Sequence, residues 1–165
     1  MIVVLMGVSG SGKTTIGTLL AERAGSVFAD ADDYHPKANK EKMASGQPLN
    51  DDDRQPWLET LNELMRGWYE SGTGGVLACS ALKEKYRATL EAGMPKGAVK
   101  FVLLDGSKEI IAERLARRSH EYMNPKLLDS QFATLEKPAE GEALSVVNDR
   151  PPKEIVAAIL EYVKV

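Results

Sequence analysis

The chain begins with an unbroken apolar run, Met1-Ile2-Val3-Val4-Leu5-Met6, and similar short runs recur at residues 27–29, 76–79, 99–104 and 144–147. Each reads as a strand buried on both faces. Between the runs the apolar positions change to helical spacing. Trp57, Leu58, Leu61, Leu64, Met65 and Trp68 fall on one helical face, and Leu82, Tyr86 and Leu90 make another stripe. Ser107 can cap a helix carrying Ile110, Ile111 and Leu115. Pro151-Pro152 opens a last helix with Ile155, Val156, Ile159, Leu160 and Val163 on its inner face. Strands alternating with helices predict an α/β fold, a parallel sheet covered on both sides. Ligands of such sheets gather beyond the carboxyl ends of the strands.

The polar groups that follow the apolar runs carry the chemistry. After the first run stands Gly7-Val8-Ser9-Gly10-Ser11-Gly12-Lys13-Thr14, which fits G-x-x-x-x-G-K-[ST], the phosphate-cradling loop of nucleotide-binding proteins. Its glycines let backbone N–H groups of the loop (Gly7 to Gly12, with Ser9 and Ser11) point at phosphate oxygens, and the helix start at Lys13, Thr14 and Thr15 adds its positive dipole end. Lys13 can reach the terminal phosphates, and the Thr14 hydroxyl can ligate Mg²⁺. A chance match in a chain this short is on the order of one in a hundred.

After the second run comes Asp30-Ala31-Asp32-Asp33. In an extended stretch Asp30 and Asp32 point to one side. Two carboxylates beside a phosphate loop suit phosphoryl transfer: Asp30 holding Mg²⁺ through water, Asp32 accepting the proton of an attacking hydroxyl. His35 follows as a candidate substrate contact. In Asn50-Asp51-Asp52-Asp53-Arg54 the acids suit helix capping, whereas a cation there opposes the dipole, so Arg54 is read as a substrate contact. Ser80 stands at the end of the third run, with Lys83 and Arg87 one helical turn apart on one face. Cys79 reads as an inert buried thiol. Arg114, Arg117, Arg118 and His120 precede a polar stretch reaching Gln131-Phe132. They suggest a mobile lid, about residues 118–131, whose arginines stabilise charge on the transferred group. Asn148-Asp149-Arg150 after the fifth run is a candidate border of an adenine ring.

Length, charge and cysteine usage narrow the class. The 165 residues suit one domain spanning 1–165, with no repeat or linker. A net charge of −3 does not favour nucleic-acid binding, and no apolar run is long enough to span a membrane. One cysteine excludes an internal disulfide and fits the cytoplasm.

Several longer segments carry a family resemblance: Asp30-Ala31-Asp32-Asp33-Tyr34-His35-Pro36, Pro48-Leu49-Asn50-Asp51-Asp52-Asp53-Arg54, Pro56-Trp57-Leu58, Ala78-Cys79-Ser80-Ala81-Leu82-Lys83, Tyr86-Arg87 and Gln131-Phe132-Ala133-Thr134-Leu135-Glu136. With the phosphate loop they cover residues 3 to about 137, and the chain resembles the gluconokinases among the small P-loop kinases, relatives of the shikimate kinases. Family members often have Gly-His-Phe in the lid where this chain has Ser119-His120-Glu121. The resemblance implies a three-layer P-loop NTPase fold with a five-stranded parallel sheet in the order 2-3-1-4-5. It implies ATP and Mg²⁺ as cofactors, transfer of the γ-phosphate to the six-position hydroxyl of D-gluconate, and a homodimer. It supports the phosphate loop, the acidic pair, Arg54, Lys83, Arg87, Arg114 and Arg118 as site residues. Alternatives are a shikimate or nucleoside monophosphate kinase, and more remotely a nucleotide switch. The switch would need a guanine-reading Asn-Lys-x-Asp, which the chain lacks.

Overall fold

A computed structural model describes residues 1–8, 10–117, 125–139 and 141–163, without the side chains of residues 108, 114–117 and 125–127. Five strands, β1 (Ile2–Met6), β2 (Phe28–Asp30), β3 (Gly75–Ala78), β4 (Val99–Asp105) and β5 (Ala143–Val147), form one sheet in the order β2-β3-β1-β4-β5, all paired in parallel. The described helices are α1 (Lys13–Ala24), α2 (Lys37–Ala44), α3 (Asp51–Ser71), α4 (Glu84–Glu91), α5 (Lys108–Arg117), α6 (Pro125–Thr134) and α7 (Pro152–Val163). A 3-10 turn covers Ala31–Tyr34. The expected fold class and strand order hold.

Alternation along β1 builds the layers. Ile2, Val4 and Met6 face a core shared with Trp57, Leu58, Leu61 and Met65 of α3 and Leu90 of α4. Val3 and Leu5 face the opposite core, with Ile16 and Leu20 of α1 and Ile155, Val156 and Ile159 of α7. β1 is buried along its whole length because it lies between β3 and β4 and is covered on both sides. Each aliphatic side chain so buried contributes about 1.5–3 kcal/mol.

Two expectations are corrected. The second strand is displaced by one residue, since Val27 is exposed and Asp30 still pairs with Ala78 of β3. Leu82 does not share the stripe of Tyr86 and Leu90. It precedes α4 and packs instead against the small cluster of Val8, Ile111 and Leu128.

Candidate active site

The order of the strands places the phosphate loop at the centre of the sheet. β1 ends at Met6 between β3 and β4, so the loop that follows leaves the sheet at its switch point, where a crevice opens. Gly7 adopts φ 140, and a Cβ there would lie 2.8 Å from the Leu104 carbonyl oxygen and 3.0 Å from Ser11 Oγ. Gly12 adopts φ 99 and a Cβ would meet Asn148 Nδ2 at 2.3 Å. At Gly7 a backbone oxygen leaves room only for a hydrogen atom, and at Gly12 the positive φ disfavours any side chain while the Asn148 amide crowds it. Gly12 also occupies the amino cap of α1 with no side chain to cap it, so the first amides of α1 await a partner.

Three further observations fit an anion at this loop. Ser11 Oγ is buried without a hydrogen-bond partner among the described residues. Lys13 folds back so that its ammonium donates to the carbonyls of Gly7 at 2.9 Å and Val8 at 3.0 Å. Burial lowers the pKa of Lys13, and the charges of Asp32 and Asp30 are among the influences that oppose this. A partly buried ammonium with uncapped amides beside it is a site for phosphate oxygens. Thr14 and Thr15 are exposed at the mouth of the loop. Among the described residues no three His, Cys, Asp or Glu side chains converge on a metal position. The exposed Thr14 hydroxyl beside the loop is the kind of single oxygen donor that Mg²⁺ takes together with substrate phosphates and water.

Asp30 and Asp32 come together by a different route from the one expected. The chain is not extended past Asp30. The Asp30 carboxylate accepts the Asp32 N–H at 3.0 Å and so caps the 3-10 turn. Asp32 faces solvent, its side chain 85% exposed. Crowding by the surrounding protein, then the neighbouring Asp30 charge, push its carboxyl upward, while His35 and Lys13 pull it down. Water screening at so exposed a side chain keeps this push modest.

His35 is fixed by its neighbours. Its ring stacks on Trp57 at 4.3 Å between centroids and 15° between planes. Asn39 lies 3.3 Å from Nδ1 through its amide nitrogen, and Nε2 is 3.9 Å from Asp32 Oδ1. Burial lowers the pKa of His35, so the ring is neutral near pH 7. Trp57 in turn donates to the Ala31 carbonyl at 2.7 Å, which ties α3 to the acidic turn.

The third cluster forms around a residue that capping alone seemed to explain. Asn50 and Asp53 make the capping box of α3, each accepting the other's backbone N–H. Asp51 is therefore free of that task, and its carboxylate turns toward α4. Oδ1 accepts from Tyr86 Oη and lies 3.3 Å from Lys83 Nζ, and Oδ2 accepts from Lys85 Nζ. Arg54 Nη1 lies 3.9 Å from Asp51 Oδ1 and donates to Tyr86 Oη at 3.1 Å. Arg54 and Lys83 each approach the Tyr86 ring to 5.6 Å from its centroid. The bonds from Lys85, Tyr86 and Lys83 hold the Asp51 carboxyl well below the usual carboxylate range. The signal that could have found Asp51 was the Asn50-x-x-Asp53 box, which makes a second capping acid redundant.

Lys83 and Arg87 do not act together. Arg87 is buried, donating to the Ala81 carbonyl through Nη1 and to the Glu136 carbonyl through Nη2, both at 2.9 Å. It holds the loop after β3, in which Ala81 has φ 45 and Ser80 accepts the Gly7 N–H at 3.2 Å. Asn148, expected near adenine, donates to the Ser11 carbonyl at 2.8 Å and braces the phosphate loop. Cys79 is buried, and burial pushes its thiol up to about 12, so it stays protonated. Gln131 lies on α6. Ser9, Arg118 and His120 lie outside the described residues. Arg114 is on α5 but its side chain is outside them; of the expected lid, residues 118–124 also lie outside, while residues 125–131 belong to the helix α6, whose Leu128 is buried against Val8 and Ile111.

A family model described as an AAA domain matches residues 2–138. The chain is 44% identical to a probable gluconokinase of Dictyostelium discoideum over 173 residues, covering 99% of this chain and 86% of that protein. It is 41% identical to the thermoresistant gluconokinase of Escherichia coli strain K12 over 165 residues, covering 99% and 93%. The crystal structure of a gluconokinase from Sinorhizobium meliloti 1021 superposes with a TM-score of 0.87 at 41% identity, covering 99% of this chain and 91% of that one.

Proposed function

This chain belongs to the gluconokinase family of P-loop kinases, and we propose on that premise that it transfers the γ-phosphoryl group of ATP to the six-position hydroxyl of D-gluconate, giving 6-phosphogluconate. The observation that supports this most is the meeting of an uncapped, lysine-bearing phosphate loop with a paired carboxylate turn at the carboxyl ends of β1 and β2.

The loop amides and Lys13 hold the phosphate chain and balance charge as it moves toward the leaving group. Asp32 orients the acceptor hydroxyl and takes its proton as the oxygen attacks in line, and His35, held neutral against Trp57, borders the same space. Thr14, with Asp30 through water, would hold Mg²⁺, which supplies Lewis-acid neutralisation of the phosphates. Arg54 and Lys83 face the carboxylate end of the substrate, and Ser80 fixes the floor between. Residues 1–165 act as one kinase domain. The lone buried cysteine suits the cytoplasm, and the family resemblance supports a homodimer.

Release of ADP from Mg-ATP, followed across gluconate, other aldonates, shikimate and nucleoside monophosphates, tests the assignment. Gluconate is expected to give the highest kcat/KM. A preference for shikimate or a nucleotide overturns the acceptor and leaves phosphoryl transfer standing.

A further inference from the structure

Asp51 is placed where a substrate carboxylate belongs. Its Oδ1 lies among Tyr86 Oη, Lys83 Nζ and Arg54 Nη1, the last two being the cations read as receivers of the gluconate carboxylate. Its Oδ2 faces outward to Lys85, whose side chain is 60% exposed. Lys83 spans both oxygens, at 3.3 Å from Oδ1 and 3.4 Å from Oδ2, while Tyr86 holds Oδ1 and the surface cation Lys85 holds Oδ2. Capping does not require this carboxylate, because Asn50 and Asp53 already satisfy the start of α3. Three cations surround one acid, so the cluster keeps an excess of positive charge even with Asp51 in place.

We propose that Asp51 is a specificity-determining residue that acts as a built-in stand-in for the substrate carboxylate. In the free enzyme it holds Arg54 and Lys83 converged beside Tyr86, and an arriving aldonate displaces the Asp51 carboxylate from both. The displaced carboxylate keeps its outer partner, Lys85, and needs no new one. Displacement sets a threshold that only an anionic acceptor crosses. A neutral aldose or alditol cannot replace a carboxylate on two cations, so the pair stays closed on Asp51. The resident acid also limits how tightly the site holds the product, which keeps the carboxylate and adds a phosphate. This inference rests on gluconate being the acceptor.

The test is Asp51→Asn, which keeps the shape and removes the competing charge. The KM for gluconate is expected to fall by about fivefold or more, the scale of one partly exposed ion pair. Inhibition by 6-phosphogluconate is expected to tighten by a similar factor, with the KM for ATP unchanged. Asp51→Glu, which restores a carboxylate, is expected to return gluconate KM toward the parent value. A gluconate KM that rises or stays level in Asp51→Asn, while the parent enzyme turns over gluconate and the variant melts within about 2 °C of it, overturns the stand-in role. If the Asn variant melts lower, the Asp51→Glu arm decides: failure of Glu to move KM back toward the parent overturns it as well. Absence of gluconate turnover in the parent enzyme removes the functional reading instead, so the two failures are distinct.

Discussion

Replacing Arg87 by methionine separates two roles for one side chain. If its work is to hold the loop after β3, the loss falls on stability; if it grips substrate, the loss falls on KM. The guanidinium donates to two carbonyls at 2.9 Å from a buried position. Hydrogen bonds from a charged group contribute about 1.5–3 kcal/mol each. Two of them, less the desolvation of the guanidinium, leave a net loss of about 3 kcal/mol. Ala81 adds to this, because a non-glycine residue at φ 45 persists only when its surroundings hold it there. In a domain of this size about 3 kcal/mol lowers Tm by roughly 6–12 °C. Thermal denaturation followed by circular dichroism measures the shift. Steady-state kinetics well below the transition measures KM for gluconate. The expected result is a large fall in Tm with gluconate KM changed less than about threefold. A Tm within about 2 °C of the parent, with gluconate KM raised tenfold or more, would refute the tie and return Arg87 to the substrate.

Asp32→Asn is expected to lower kcat at least ~100-fold, the scale of removing a general base, and near-parent turnover excludes that role. Because the Asp32 carboxyl lies above its ordinary value, kcat/KM is expected to fall with decreasing pH through a limb above the usual carboxylate titration. The same shift means that the group's contribution to stability is fullest at low pH and is lost as pH rises through the raised value. Asp32→Asn is accordingly expected to leave the neutral-pH Tm equal or higher, which denaturation scans across pH check. Gly12→Ala drives a methyl group against Asn148 at a backbone angle foreign to alanine, and calorimetric titration is expected to show no ATP binding. Asn148→Ala removes the brace on the Ser11 carbonyl, a bond of about 1 kcal/mol. It is expected to raise KM for ATP severalfold with gluconate KM unmoved.

The layers and strand order were legible because they rest on strong local signals. Five apolar runs, each too short to be helices, alternate with stripes such as that of Trp57, Leu61 and Met65, and those positions are the core. The phosphate loop was legible for the same reason, since glycine spacing encodes backbone geometry directly. What escaped notice depends on which neighbour a side chain meets across the fold. Lys83 and Arg87 share helical spacing, but Lys83 precedes the first turn of α4 and reaches α3, whereas Arg87 turns inward to Glu136. Helical periodicity cannot report that divergence. Asp30 and Asp32 were paired correctly by proximity but for the wrong reason, because a side-chain cap rather than strand alternation joins them. Analogy sets Asn148 near a base, and its bond to the Ser11 carbonyl is visible only in the tertiary structure.

The Asn148 contact joins positions 137 residues apart. A ribosome delivers the phosphate-loop sequence well before Asn148, and β1 also waits for β3 and β4 on either side. The nascent polypeptide therefore cannot assemble a braced nucleotide cradle until β5 has emerged and docked. Stalled or truncated chains ending before residue 148 therefore carry the loop sequence without the brace that steadies it.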